Sequence, residues 1–508
     1  SSGNIVTGDA NKVTVSNDSN KVTGNGKDFS ASGSNTVIGD GNKFQALSNS
    51  NKVTGNGNDF SASGSNTVIG DGNKFQALSD NNTATGNGNQ FSASSGNIVT
   101  GDANKVTVSN DNEVTGSGNE LSASSNNTVT GANNKLGLAG SNNISGNANT
   151  VFTGSSNTIS GNNNAVSLGS NNAIVGNSNG VTLGNNNAIT GGSNQVIGSQ
   201  NALTVNNNGV SGSSNAITGN SNSVLAADSN TITGNSNTVA LGNNNSISGN
   251  SNGIGGSSNT VNGNSNGVAG SSNTIAGNSN RVLAGDSNTI AGNSNTVTLG
   301  NNNSISGNAN GIAGSSNTVS GSNNGIAGNS NTVAGNSNRV LAGDSNTIAG
   351  NSNTVTLGNN NSISGNANGI AGSSNTVSGS NNGIAGNSNT VAGNSNAIAL
   401  GNSNSISGNN NLVLTGDSNA ITGSNNGVAG NSNVITGNYN GALGDKNTIS
   451  GTSNIVVGTS SAAVGSSNAV VGNNSSATGT ANGVLGNAST ATGSANLVVG
   501  NNSSATGH

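Results

Sequence analysis

The residues whose types and spacing best suit chemistry are short hydroxyl side chains that recur at fixed places in a repeating unit. From residue 229 onward, Thr and Ser dominate these places, and no charged residue interrupts the column. A column of this kind presents hydroxyl and methyl groups at regular intervals, which suits binding to an extended surface. The predicted surface-binding residues are Thr231, Thr233, Ser246, Ser248, Thr260, Thr274, Thr289, Ser304, Ser306, Thr318, Ser320, Thr332, Thr347, Ser362, Ser364, Thr376, Ser378 and Thr390.

The composition excludes most catalytic chemistry. The 508 residues include no Cys, so disulfides, thiol nucleophiles and thiolate metal sites are excluded. The one His is the last residue, His508, which rules out His-dependent catalysis in a folded interior. Asp and Glu pairs occur only near the N-terminus, with no aromatic cleft beside them. We therefore predict that the chain is not an enzyme and requires no cofactor and no metal.

The charge balance of the chain indicates which classes of binding partner are not expected. Lys and Arg number 11 against 16 Asp and Glu, which gives a net charge of -5. Nucleic acids and anionic membranes both require clustered positive charge, so neither is an expected partner. No apolar run approaches the roughly 18 residues that a membrane-spanning helix needs. The absence of Met and the start at Ser1 indicate a processed product or a piece of a longer protein.

The elements that position the hydroxyls follow from a repeat of seven or eight residues with the consensus x-x-Asn-Thr-Val/Ile-x-Gly. In the unit 315–321, strand alternation points Asn317 and Val319 inward and Thr318 and Ser320 outward, while Gly321 permits a turn. Two units close one coil, and coils stacked about 4.7 Å apart pair their strands and align their Asn amides. Gly at every seventh residue excludes a helical alternative.

These features predict an all-β protein, a parallel β-solenoid (β-roll) with two short strands in each coil of 14–16 residues and roughly 34 coils. Three zones are predicted along one continuous rod. Residues 1–137 have longer coils, most of the charge and a core containing Phe29, Phe44, Phe60, Phe75 and Phe91; residues 138–454 are regular; residues 455–508 are Ala-rich.

The units resemble those of the ryegrass-type ice-binding proteins. The resemblance lies in the x-x-Asn-x-Val-x-Gly pattern, for example in residues 315–328. The pattern covers most of residues 140–455 and, less closely, residues 1–139. The resemblance implies a left-handed β-roll and a flat Thr/Ser face that docks on ice. Ice is itself periodic, and charges would hold water in the wrong orientation, so an uncharged ladder fits this function.

A second resemblance keeps another function open. The units 473–479 and 487–493 are similar to the head repeats of bacterial trimeric autotransporter adhesins, in which three left-handed β-rolls pack together. This resemblance implies a subunit of an extracellular fibre or an adhesin head, with association end to end or as a trimer. Both resemblances imply an extracellular or cell-surface location, with ice or a cell or substrate surface as the partner.

Two features also have a purely structural interpretation. The Thr/Ser column can be a solvent face made of residues with good β propensity. Four acidic residues follow the ends of eight-residue units, namely Asp228, Asp286, Asp344 and Asp417. We expect them to cap turns rather than to bind calcium.

Overall fold

The computed structural model describes residues 79–507 without a break, together with 63–65, 67–76 and the short strands before residue 62. All regular elements in the described residues are β-strands of two to six residues. The chain divides into two compact units, residues 1–258 and 259–508, and each is described by itself. The three predicted zones and the single rod stay predictions.

In the first unit, two columns of strands alternate along the chain, and we call the sheets they form the first face and the second face. The strands of the first face are Ile5–Thr7, Lys21–Thr23, Thr36–Ile38, Lys52–Thr54, Thr67–Ile69, Thr83–Thr85, Ile98–Thr100, Glu113–Thr115, Thr128–Thr130, Asn143–Ser145, Thr158–Ser160, Ala173–Val175, Ala188–Thr190, Ala202–Thr204, Ala216–Thr218, Thr231–Thr233 and Ser246–Ser248. The strands of the second face are Lys12–Val13, Asp28–Phe29, Lys43–Gln45, Asp59–Ser61, Lys74–Gln76, Gln90–Ser92, Lys105–Thr107, Glu120–Ser122, Lys135–Gly140, Thr150–Ser155, Ala165–Ser167, Gly180–Thr182, Gln195–Ile197, Gly209–Ser211, Ser223–Leu225, Thr238–Ala240 and Gly253–Gly255. A short third column consists of Ser16–Asn17, Ser32–Gly33, Ser48–Asn49, Ser63–Gly64 and Ser79–Asp80.

The second unit has the same two faces. Its first face contains Thr260–Asn262, Thr274–Ala276, Thr289–Ala291, Ser304–Ser306, Thr318–Ser320, Thr332–Ala334, Thr347–Ala349, Ser362–Ser364, Thr376–Ser378, Thr390–Ala392, Ser405–Ser407, Ala420–Thr422, Val434–Asn438, Thr448–Thr452, Ala462–Ser466, Ser476–Thr480, Thr490–Ser494 and Ser504–Gly507. Its second face contains Gly267–Ala269, Arg281–Leu283, Thr296–Thr298, Gly311–Ala313, Gly325–Ala327, Arg339–Leu341, Thr354–Thr356, Gly369–Ala371, Gly383–Ala385, Ala397–Ile398, Leu412–Thr415, Gly427–Ala429, Gly441–Leu443, Ile455–Val457, Ala469–Val471, Gly483–Leu485 and Leu497–Val499.

Each three-residue strand from Thr83–Thr85 onward buries its middle residue, and the pairing between coils is parallel and in register, apart from one shift between Val413 and Thr415. Val319 is 1% exposed and pairs with Val333, while Thr318 and Ser320 on either side of it point to solvent. Full burial of one such apolar side chain contributes about 1.5–3 kcal/mol. The small β-branched residues thus fill a core that is only two side chains wide.

A ladder of buried Asn side chains stands beside this apolar core. Asn317 is buried, and its Nδ2 donates to Oδ1 of Asn303 in the preceding coil at 3.1 Å and to the carbonyl of Gly328 at 2.9 Å. Its Oδ1 accepts from the backbone N–H and from Nδ2 of Asn331 in the next coil, at 2.9 and 3.1 Å. All hydrogen-bonding groups of the amide are therefore satisfied, which removes the cost of burying it.

The corners between strands depend on positive φ angles. Gly321 has a φ of 118°, and a Cβ there would run into the backbone of Gly335 in the next coil. The corner is completed two residues later by a residue in the left-handed region, Asn323, with a φ of 61°. Gly takes the first of these positions in most seven-residue units, with Val205 at a φ of 94° as an exception, whereas Ser, Asn and Ala occupy the second in other coils.

The predicted fold class is confirmed: the protein is a parallel β-solenoid with two strands in each coil. The described strands number 35 on the first face and 34 on the second, so the predicted number of roughly 34 coils is close but not exact, and the handedness stays a prediction. Phe91 is buried as predicted, at 1% exposure. The side chains of the other four predicted core residues lie outside the part that the structure describes; they are Phe29, Phe44, Phe60 and Phe75.

Candidate surface-binding site

The structure places all the predicted surface-binding residues at exposed outward positions of the first face. In the second unit, pairing in register brings fourteen of them onto one sheet, from Thr260 to Thr390. The remaining four lie together on the first face of the first unit, where Thr231 pairs with Ser246 and Thr233 with Ser248.

Strand geometry fixes the spacing of these hydroxyls in two directions. Neighbouring strands lie about 4.7–4.9 Å apart, and two outward residues of one strand are separated by about 6.6 Å. Under each strand lie one buried Ile or Val and one buried Asn of the ladder, for example Val319 and Asn317 under Thr318. Thr is also restricted at χ1 by its branched Cβ. The hydroxyl and methyl groups are therefore held in place before any ligand arrives.

The first face of the second unit carries no ionisable side chain at an outward position within residues 259–507. The two Arg of this unit, Arg281 and Arg339, lie on the second face. Acidic residues lie at the corners instead: the Asp286 carboxylate accepts the backbone N–H of Ser271, and that of Asp344 accepts the N–H of Asn329. The face can therefore offer hydrogen bonds and methyl contacts without a local net charge.

The same contact gives the corner Asp residues a structural role between coils, and the predicted local turn capping stays a prediction. Each binds the backbone of the preceding coil in the place that Asn takes elsewhere, as the carboxylates of Asp228 and Asp417 bind Ser213 and Asn402.

Among the described residues, no group of three or more His, Cys, Asp or Glu side chains could hold a metal ion. None of the described residues forms a helix long and apolar enough to cross a membrane.

The sequence reasoning missed the hydroxyl column of the first unit. There the hydroxyls align at the second outward position of the strand, after the buried residue, whereas in the second unit the fuller column is at the first position. Val175 is the one interruption in this column between Thr85 and Thr233. The added exposed residues are Thr85, Thr100, Thr115, Thr130, Ser145, Ser160, Thr190, Thr204 and Thr218. The signal available in the sequence was the recurrence of Thr or Ser immediately before the corner Gly.

The second face has different chemistry. Its outward positions include a Lys and Glu pair in the first unit, where Lys105 Nζ lies 3.5 Å from Glu120 Oε1. In the second unit they include Gly at many coils, two Arg, and exposed Leu and Val toward the C-terminus. The two faces therefore present different surfaces, and among the described residues the long columns of exposed hydroxyls lie on the first face.

Comparison with protein families identifies a relative among antifreeze repeat proteins. The model of the grass antifreeze β-roll matches residues 129–219, 203–284, 275–333, 310–399 and 381–472, which overlap and together extend over more than half of the chain. A search of curated proteins finds none that matches. The matched repeats contain all eighteen predicted surface-binding residues, and both this family and the solenoid fold are of a non-enzymatic kind.

Proposed function

We propose that this chain, which belongs to the grass antifreeze β-roll family, binds ice through the exposed Thr and Ser residues of its first face and inhibits ice recrystallisation. The observation that carries the proposal is the in-register column of exposed, uncharged hydroxyls from Thr260 to Thr390. The column lies within the residues that the family matches.

The physical reasoning starts from the weakness of any single contact. One hydroxyl–water hydrogen bond contributes little net free energy, because water offers the same bond. A row of hydroxyls and methyls held at fixed spacing can contact many lattice positions of a crystal at once. The ordering cost is low because the backbone and the Asn ladder already hold the strands, so the small contributions accumulate.

The absence of charge on this face favours ice over bulk water as its partner. A charged side chain binds its own hydration shell strongly, and removing that shell costs free energy. Hydroxyls and methyls hold water less firmly, so the water over them can join the ice lattice. The proposal includes a non-enzymatic role and an extracellular location, where the protein would meet growing ice crystals.

The proposal is tested by ice-recrystallisation inhibition with a matched pair of variants. The first variant changes Thr289, Thr318 and Thr347, which lie on alternate coils of the first face, to Lys. The control changes three exposed Ala of the second face of the same unit to Lys, namely Ala269, Ala313 and Ala371. Both variants gain the same charge, and circular dichroism checks that both keep the β-solenoid.

We expect the wild type and the second-face control to inhibit recrystallisation at similar concentrations. The first-face variant should need at least a tenfold higher concentration. Absence of inhibition by the folded wild type, or equal inhibition by the two variants, contradicts the proposal.

A further inference from the structure

The second face becomes apolar in the last coils of the second unit. Eight large apolar side chains on this face are 41–74% exposed. We call them the C-terminal apolar strip; its members are Leu412, Leu414, Leu443, Ile455, Val471, Leu485, Leu497 and Val499.

From Leu443 onward the strip is continuous because its strands pair in register, whereas the pairing of Leu412–Thr415 with the next strand shifts register after Val413. At the second outward position, pairing connects Leu443 to Val457, Val471, Leu485 and Val499 with no polar residue between them. Five neighbouring strands at about 4.8 Å make this column roughly 19 Å long. An open groove of about 330 Å³ runs over the strands at its N-terminal end, from Leu412 to Val457.

Glycines form hollows beside the bulky residues. A Cβ added at Gly427 would meet no atom within 4 Å, and one at Gly441 would meet only Ile455 Cγ1 at 3.9 Å. Neither residue has a positive φ that would require Gly. Gly in a strand lowers stability, and it often marks a place where another backbone approaches closely. No contact within the described chain explains these two glycines.

The strip also differs in charge from the earlier part of the same face. Arg281 and Arg339 lie on the second face before residue 400, whereas its outward positions from Leu412 to Val499 carry no ionisable and no aromatic side chain. Such a surface lacks the basic and aromatic residues that hold proteins at a lipid surface. It can face a copy of itself without repulsion between like charges.

The exposed fractions leave on the order of 800 Å² of apolar side-chain surface, about the amount that each partner contributes to a standard interface. Soluble monomers rarely expose apolar patches larger than a few hundred Å². From this area, the hollows and the absence of charge, we infer that the C-terminal apolar strip is the site at which a second copy of this chain docks.

The pattern of bulky residues and hollows favours one arrangement of the two copies. A two-fold axis parallel to the direction of coil stacking places each coil against the same coil of the second copy. The first outward position of one copy then faces the second outward position of the other. Leu443 of one copy would lie over Gly441 of the other, and Leu485 over Gly483. Ile455 would face Val457 and Leu497 would face Val499, so bulky groups meet hollows at the levels of Leu443 and Leu485 and meet Val at these two levels.

The test is sedimentation velocity on the full chain over a concentration series. The strip variant is Leu443→Glu with Leu485→Glu. Its control is Val434→Glu with Val464→Glu, which alters exposed apolar residues on the first face of the same region, 46% and 40% exposed. We expect the wild type and the control to dimerise, and the strip variant to have a dimer dissociation constant raised at least tenfold.

A third variant, Gly441→Val, fills a hollow that is open in the single chain, so we expect the fold to persist while dimerisation weakens at least tenfold. A wild type that is monomeric at every concentration overturns the inference, as does equal weakening by the first-face control. Binding of a monomeric wild type to phosphatidylcholine vesicles, lost in the strip variant, would assign the strip to lipid and overturn it too. Ice inhibition by the strip variant separates this inference from the proposed function, because the first face is unchanged.

Discussion

The Asn ladder allows a stability prediction that can be worked out bond by bond. Asn331 is 0% exposed, and its Nδ2 donates to Asn317 Oδ1 at 3.1 Å and to the Gly343 carbonyl at 2.8 Å. Its Oδ1 accepts from the backbone N–H and from Nδ2 of Asn346, both at 3.0 Å. Replacement by Ala removes four side-chain hydrogen bonds in the interior of the second unit.

The loss should be large because the remaining partners stay buried. A buried polar group that loses its partner costs about 1–3 kcal/mol. The Gly343 carbonyl, the Asn346 N–H and the second donor of Asn346 are all affected by Asn331→Ala. We therefore expect the free energy of unfolding to fall by about 4 kcal/mol.

The structure supplies a matched control in coils where Ser replaces the ladder Asn. Ser475 Oγ donates to the Gly486 carbonyl at 2.7 Å and accepts from the backbone N–H of Ser489 at 3.2 Å. Ser at position 331 can make the equivalent two bonds, so Asn331→Ser should cost about 2 kcal/mol, roughly half as much as Ala.

Urea unfolding of the three proteins, followed by circular dichroism, measures these differences. Hydrogen exchange in the coils that contain Asn317 and Asn346 shows whether the loss is local. Equal stability of the Ala and Ser variants, or an Ala variant as stable as the wild type, would refute the reasoning that the ladder holds the coils together.

Three further predictions concern other parts of the solenoid. Gly321→Ala should lower stability by about 3 kcal/mol or more in thermal unfolding, whereas Gly325→Ala, where an added Cβ meets no atom within 4 Å, should be neutral or stabilise by about 0.5 kcal/mol. Glu120→Lys replaces an exposed partner of Lys105, so urea unfolding should show a loss of at most about 1 kcal/mol that disappears in high salt. Ser109→Ala removes a fully buried hydroxyl without a hydrogen-bond partner. The free energy of unfolding should therefore rise by about 1 kcal/mol, which thermal unfolding detects as a higher melting temperature.

Much of the fold could be predicted because strand alternation and a strict repeat act together. The positions of Asn317 and Val319 inside and Thr318 outside follow from period-two alternation, and the structure confirms them. The repeat then carries each assignment to the neighbouring coils. Ladder bonding between Asn residues follows from the same repetition, since identical residues in register must stack.

The corners were only half predictable. The sequence indicates Gly as the residue for a positive φ, yet Asn323 and Ser316 also adopt left-handed angles near 61°. For residues other than Gly, a left-handed conformation is sterically unfavourable in the absence of other contacts. Backbone hydrogen bonds between successive coils hold the corner residues in this conformation, for example the bond from the Ser330 N–H to the Ser315 carbonyl. Such contacts between distant residues cannot be recognised in a local sequence pattern.

The composition of each face was harder to predict than the coil itself. Units of seven and eight residues alternate irregularly, so the face on which a given Leu lies depends on the count of all preceding units. Leu443 and Leu485 are three coils apart, and their common column becomes visible only through the register. The hydroxyl column of the first unit was missed because the prediction covered the strands only from residue 229 onward.

The most direct test of the central claim measures adsorption to ice itself. A fluorescent fusion of the wild type, of the variant with Thr289, Thr318 and Thr347 changed to Lys, and of the second-face Lys control is exposed to a growing single crystal of ice, and fluorescence in the ice is compared with that in the liquid. We expect the wild type and the second-face control to enter the ice and the first-face variant to remain in the liquid. Exclusion of the folded wild type from ice, or equal uptake of all three proteins, would contradict the claim that the Thr/Ser face binds ice.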